Sequence, residues 1–326
     1  MEKPFLEKIK HFCNKHAIGG PIQLPELQFD VDCEGASVLL QSALQNDEPL
    51  MDSRFGNIEL RTLYTYISSQ QRHSAVQYVL GKQQAWWYKD LWIYEMENNT
   101  GFFPTTPSNL DAFSQLYLAD CKEIDILGSW NKEEIFVAPF LKSDIKRIWI
   151  SWLEPFWSVT PYTAALRGKK VLVVHPFSDT ISGQYQNRNA LFSNADILPD
   201  LATLEVIPAV QSMGGRATGF KSWFECLDYM KKEIDKHDFD VCLIGCGAYG
   251  LPLAAHVKRM GKKGIHIGGA LQLLFGITGQ RWIDMKPFVM DGITLDYSKL
   301  PNEHWVRPQA TDRPANYKQV EGGCYW

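Results

Sequence analysis

Three residues of the stretch RFGNIEL (Arg54, Asn57 and Glu59) have the types and spacing to hold a charged ligand. An amide and a carboxylate one residue apart offer two oxygens to a hard divalent cation, Mg²⁺ or Mn²⁺. Such ions take one or two protein oxygens and fill their other positions with water and substrate phosphates. Arg54 would then lie beside a diphosphate, whose oxygens its planar fork matches. The same residues have a plainer use. Gly56-Asn57 stands where a helix N-cap belongs, and Glu59 in the first turn would complement the helix dipole. Local sequence leaves both readings open.

The second chemical stretch runs from 240 to 276. It opens with the apolar run Val241 to Ile244, breaks into Gly245-Cys246-Gly247-Ala248-Tyr249-Gly250, and continues as a helical pattern that stops at Gly261. A second short strand, Gly264 to Ile267, ends near Gly268-Gly269. A buried strand, a glycine turn and a helix N-terminus together favour an anion, because unpartnered N–H groups point outward and missing Cβ atoms allow close approach. On this reading Gly245, Gly247, Tyr249 and Gly250 shape a nucleotide pocket. The G-x-G-x-x-G spacing is that of a dinucleotide fingerprint, which needs a carboxylate about 20 residues on for the ribose hydroxyls. Ile265-His266 stand there instead, with no Asp or Glu between Gly245 and Asp284. A nicotinamide enzyme and an S-adenosylmethionine methyltransferase are both disfavoured by that gap.

Other residues have a possible ligand role beside an ordinary one. His175 ends the run KKVLVVHPF, where a neutral imidazole would meet a ligand or act as a base, or bond a backbone carbonyl. His266 would approach a ribose or sugar hydroxyl, or be a satisfied structural histidine. Gln184 and Arg188 lie four apart and share a helix face, aimed at one ligand or at solvent. Ser129 and Trp130 end a strand and would line the cleft, though for Trp130 a place in the core is the plainer expectation. His304 and Arg307 in HWVRP would form a lid over phosphates or belong to a packed tail. The belt from Trp86 to Trp92 suits an acceptor sugar, the lipid of a lipid-linked acceptor, or the core. Asp52, Glu154 and His175 are unranked candidates for a general base.

The elements that must position these groups follow a regular rhythm from Lys169 on. KKVLVVHPF, LEVIPAV and FDVCLIG read as strands, and SGQYQNRNALF and FKSWFECLDYMKKEIDKH as helices, the latter with Trp223, Leu227, Met230 and Ile234 inward. Alternating strands and helices imply right-handed crossovers, a parallel sheet and ligands at the carboxyl ends of the strands. The preceding part carries the RFGNIEL helix with Leu60, Leu63, Tyr64 and Ile67 on one face. After it come a helix from Leu110 to Ala119, a strand from Ile124 to Leu127, and the strand-like pieces EIFVAPF and IKRIWISW. The expected fold is α/β: a Rossmann-like parallel sheet with helices on both faces, preceded by a mixed α/β N-terminal half. The expected division is a helix and linker over 1–35, an α/β half over 36–167, a nucleotide-binding half over 168–290, and a tail over 291–326 that packs on the body.

The chain has 326 residues, 45% hydrophobic and 21% charged, with net charge −4 and no Lys/Arg run, so composition gives no nucleic-acid footprint. Its seven cysteines are scattered, with no C-x-x-C pair, which suits reduced thiols in a cytoplasmic protein. The N-terminus lacks an apolar signal region and no run reaches the length of a membrane span.

RFGNIEL resembles the R-F-G-D-G-E motif of bacterial glycosyltransferases with the GT-D fold, which use an Asp-x-Glu pair for metal-dependent nucleotide-sugar binding. The pieces LEPF, KKVLVVHPF, GCGAYGLPLAAHVKRMGK, HWVRP and EGGCYW resemble glycosyltransferases of bacterial polysaccharide-biosynthesis clusters over most of residues 50–326. The resemblance implies a donor sugar on a nucleotide diphosphate (UDP favoured) and a saccharide or lipid-linked saccharide acceptor. It also implies Arg54 and Glu59 as catalytic residues and Asn57 with Glu59 as ligands for Mn²⁺ or Mg²⁺. Position in the predicted elements adds His175 as a catalytic residue, and the glycines of both turns with His266, Gln184 and Arg188 as nucleotide-binding residues. Asn57 departs from the motif's Asp and is a poorer, neutral ligand. A non-catalytic nucleotide or sugar sensor within a polysaccharide machine is the alternative.

Overall fold

The computed structural model describes residues 3–314 and 317–326. The first two residues of the expected N-terminal helix, and Ala315-Asn316 of the expected tail, lie outside the described residues. In chain order the elements are α1 (Lys3–Lys15), α2 (Cys33–Gln45), β1 (Leu50–Arg54), α3 (Asn57–Ser69), α4 (Ala75–Val79), α5 (Asp90–Asn98), α6 (Pro107–Asp120), β2 (Ile126–Ser129) and β3 (Lys146–Trp149). Then follow β4 (Lys170–His175), α7 (Ser178–Gln186), α8 (Arg188–Leu191), β5 (Thr203–Pro208), α9 (Trp223–Ile234), β6 (Val241–Ile244), α10 (Gly250–Arg259), β7 (Lys263–His266), α11 (Leu271–Leu274), α12 (Gln280–Ile283) and the hairpin β8 (Phe288–Met290) and β9 (Ile293–Leu295).

Seven strands form one sheet in the order β3-β2-β1-β7-β6-β4-β5, every pair parallel. The fold is therefore α/β and Rossmann-like, with helices on both faces. Met51, Leu172, Val174, Cys242 and Ile244 pack one face against α3, α6, α9 and α10. Leu50, Val171, Val173, Leu243 and Ile265 pack the other against α2, α7 and α11. Buried runs such as VCLI suit a strand covered on both sides. β1 lies beside the central strand β7, with Asp52 between Ile126 of β2 and Ile265 of β7. Strands from the segments 36–167 and 168–290 thus share a single sheet.

Several expected elements differ. EIFVAPF forms 3₁₀ turns, Lys132–Phe136 and Ala138–Phe140, rather than a strand. Asn131 and Glu134 close a capping box there, and Pro139 at a helical N-terminal position cannot donate to a ladder. IKRIWISW is a strand only over Lys146–Trp149, and turns 3₁₀ over Ile150–Leu153. Gly56 holds the N-cap position of α3, and Asn57 is its first helical residue. The Trp86–Trp87 pair packs with Tyr78 and Leu6 in a small cluster under α1. All seven cysteines are free. Among the described residues no helix is long and apolar enough to cross a membrane.

Candidate functional site

A cavity of about 400 Å³ opens at the carboxyl ends of β1, β7, β6 and β4. Its position follows from the connections. β1 and β6 lead to α3 and α10 on one face, while β7 and β4 lead to α11 and α7 on the other. Between strands whose following helices leave to opposite faces, the sheet's edge stays uncovered.

Arg54, at the end of β1, lines this cavity. Its guanidinium lies 5.8 Å from the Trp130 ring centroid. A Cβ added to Gly268 (φ +76°) would come 3.5 Å from Arg54 Cδ, so the arginine passes over the second glycine turn. Arg54 Nε is buried without a hydrogen-bond partner. Burial lowers the Arg54 pKa, Glu59 raises it, and Arg281 lowers it again. Glu59 is 8% exposed on the first turn of α3, and its carboxylate occupies the space a Cβ on Gly56 would need. That contact explains a glycine before the helix. Asn57 also lines the cavity, its Oδ1 accepting from Asn131 Nδ2 at 3.1 Å. Among the described residues no group of three or more His, Cys, Asp or Glu side chains is arranged to hold a metal ion. Asn57 and Glu59 are the oxygen-bearing pair of RFGNIEL beside the cavity.

The glycine turn reaches the same cavity through Gly245, Gly247 and Tyr249, and the second turn through Gly268 and Gly269. Gly247 has φ +58°, in the left-handed region that glycine tolerates. Tyr249 is more a brace than a ligand group. Its ring stacks on Trp223 at 4.9 Å and 8°, and its hydroxyl meets Ser212 Oγ at 2.9 Å. Gly250 does not line the cavity: its missing Cβ leaves room for the His266 ring, which an added Cβ would meet at 2.0 Å.

His175 and His266 are buried to 2% and 3% exposure and both line the cavity. Burial pushes each pKa down to about 3, with Arg54 adding to the effect at His266, so both rings are neutral.

Other expected site residues lie elsewhere. Gln184 is buried, its Nε2 donating to Gly276 O at 3.2 Å and His304 O at 3.1 Å. Arg188 pairs with Asp200 at the surface. The four-residue spacing was real, but α7 ends at Gln186 and Arg188 starts a separate turn. Arg307 holds Trp326 O at 2.7 Å rather than a ligand, and His304 lies at the surface. Ser129 donates to Glu134, while Trp130 lines the cavity. Asp52 and Glu154 do not line it. Burial drives Asp52 well above the usual carboxylate range, and Glu154 up to about 7 between donors Trp157 Nε1 and Tyr297 OH, each at 2.7 Å.

Sequence reasoning expected the tail to pack on the body, but missed Arg281, Gln272 and the place of Tyr325 and Trp326 in the cavity wall. Arg281 on the short α12 donates to Tyr325 OH at 2.5 Å and stacks on that ring. Tyr325 in turn packs on Gly269, where a Cβ would meet its Cε1 at 2.6 Å. Gln272 is 1% exposed, and its Nε2 donates to Ile277 O and Tyr325 O while its Oε1 has no partner. Arg54, Arg281 and Glu59 line the cavity together with the Arg61–Glu95 ion pair. An anion with an attached polar group suits that lining.

Fold and cavity define a Rossmann-like α/β protein with an open cavity at the switch points of its sheet. No protein-family model matches the chain, and neither a curated protein nor a solved structure matches it.

Proposed function

We propose that the chain is a GT-D-like glycosyltransferase that moves a sugar from a nucleotide diphosphate, UDP favoured, to an acceptor hydroxyl of a saccharide or lipid-linked saccharide in bacterial polysaccharide biosynthesis. One observation supports the reading: Arg54 and Glu59 of RFGNIEL line the same cavity as the glycine turns that follow β6 and β7. Two stretches far apart in sequence meet where a pyrophosphate would need both.

Arg54 and Arg281 bind the diphosphate and offset the charge that develops on it as the glycosidic bond breaks. Asn57 and Glu59 would hold Mn²⁺ or Mg²⁺, which would supply Lewis-acid stabilisation of the same leaving group. Trp130 and Tyr325 flank the two arginines and limit water at that end.

A second reading, a nucleotide-sugar sensor without turnover, is favoured by the candidate bases. Asp52 and Glu154 are sealed in the core, and His175 already accepts a backbone N–H at Nδ1.

A thermal-shift panel of UDP, GDP, CMP, NAD and S-adenosylmethionine, with and without Mn²⁺, tests both. A ligand at about 100 times its dissociation constant adds about 2.7 kcal/mol of stability. UDP is expected to raise the melting temperature in a way that EDTA reduces and Arg54→Ala abolishes. A shift with NAD or S-adenosylmethionine alone contradicts the transferase. A UDP shift, with neither transfer nor hydrolysis of added UDP-glucose, selects the sensor.

A further inference from the structure

His175 and His266 are held in opposite tautomers. The backbone N–H of Phe177 donates to His175 Nδ1 at 3.0 Å, so Nδ1 carries the lone pair and the proton of the neutral ring is on Nε2. His266 Nδ1 meets Ile244 O at 3.3 Å, and a carbonyl only accepts, so here the proton is on Nδ1 and Nε2 carries the lone pair. Among the described residues neither Nε2 has a protein partner, and both rings line the cavity. One imidazole thus presents a fixed donor and the other a fixed acceptor.

The glycines of the turn exist partly for these rings. A Cβ on Gly245 would come 2.7 Å from His175 Cδ2 and 2.8 Å from Gly268 O, and one on Gly250 would enter the His266 ring. His175 follows Val171 and Val173 on the α7 side of the sheet, while His266 follows the opposite alternation toward α10. The two rings therefore bracket the end of β6 from its two faces.

We infer that this histidine pair reads a hydroxyl of the ligand's sugar, His175 donating to its oxygen and His266 accepting its proton. A hydroxyl satisfies both rings at once, because it is donor and acceptor together. A phosphate oxygen ionised at neutral pH satisfies only His175 and faces the lone pair of His266, so the phosphates belong with Arg54 and Arg281. His266 positions the hydroxyl and does not deprotonate it: a ring whose pKa lies about 3 is too weak a base at neutral pH. The inference rests on the nucleotide-sugar reading for its ligand, though the tautomers do not.

Two measurements test it. Long-range ¹H–¹⁵N spectra of histidine-labelled protein at pH 7, assigned with single-histidine variants, should show His175 protonated on Nε2 and His266 on Nδ1. Matching tautomers, or a doubly protonated ring, overturn the pair. Calorimetric titration then uses UDP-glucose, UDP and inorganic pyrophosphate. His175→Leu and His266→Leu should each weaken UDP-glucose binding about tenfold, leave pyrophosphate binding unchanged, and be rescued in part by His175→Gln and His266→Gln, whose amides offer both a donor and an acceptor. A loss shared by UDP identifies a ribose hydroxyl, and a loss confined to UDP-glucose a hexose hydroxyl. Equal loss for pyrophosphate, or no loss in variants with native circular dichroism, overturns the inference. If the wild-type protein binds none of the three, the nucleotide-sugar reading fails, and the tautomer spectrum alone decides the pair.

Discussion

The two rims of the sheet treat polar groups in opposite ways. At the amino-end rim, Asp125 accepts from Met51 N at 2.9 Å and from the ammonium groups of Lys142 and Lys258. Burial raises the Asp125 pKa, but these donors outweigh it and the net shift is downward. Lys263 there donates to Ala43 O, Asn46 Oδ1 and Glu48 O, closing the end of α2. At the carboxyl-end rim, Arg54 Nε, Gln211 Oε1 and Gln272 Oε1 are buried without partners. A folded chain seldom leaves such groups unpaired unless something else completes them. One rim is finished by the protein itself, and the other keeps these unpaired polar atoms beside the cavity. A second smaller cavity, of about 270 Å³ beside Asp125 and Lys142, shows that empty space alone does not make the difference.

That contrast can be broken by substitution. The largest stability loss belongs to the finished rim. Asp125→Ala leaves Lys142 and Lys258 facing each other without a counter-ion, and urea unfolding should show a loss of about 2–3 kcal/mol with UDP affinity unchanged, a value held below that of a fully buried pair by the partial exposure of Asp125. Gly250→Ala places a methyl group on the His266 ring. It should cost about 2 kcal/mol through forced repacking and also weaken UDP-glucose binding, coupling stability to ligand at the open rim. A lossless Gly250→Ala would mean the ring is not seated there.

Acid sharpens the comparison. The folded pKa of His175 and of His266 lies near 3, below the ordinary value of 6.5, so the unfolded chain takes up protons first as pH falls. Their contribution is complete above about pH 6.5 and declines toward pH 3, by about 1.4 kcal/mol per pH unit for each ring. Stability measured between pH 6.5 and 4.5 should therefore fall less steeply in His175→Gln than in the parent. The smallest stability effect is expected for Arg54→Ala, about 1 kcal/mol or less, because no protein hydrogen bond to its Nε is lost. A large destabilisation by Arg54→Ala would make the residue structural.

The interior of the sheet was legible where strands are continuous apolar runs, as in KVLVVH and VCLI. β1 was not. LMDSR alternates nothing, since Asp52 and Ser53 are buried with no hydrogen-bond partner for Asp52 Oδ1, Asp52 Oδ2 or Ser53 Oγ. Missing that strand hid the fact that both segments build one sheet. Arg54, Glu59 and the glycine turns were legible because their types are scarce and chemically specific. The tautomers of His175 and His266 depend on Phe177 N and Ile244 O, contacts that no spacing encodes. Arg281 sits on a four-residue helix with no periodic signal, and reaches the cavity only because the tail through Tyr325 folds back over Gly269.

Hydrogen exchange with and without saturating UDP-glucose tests the central claim most directly. The account predicts added protection in peptides covering 54–59, 245–250 and 266–281, with the amino-end rim at 142–146 unchanged. Protection confined to 142–146, or none at the carboxyl-end rim while the nucleotide is bound, would contradict it.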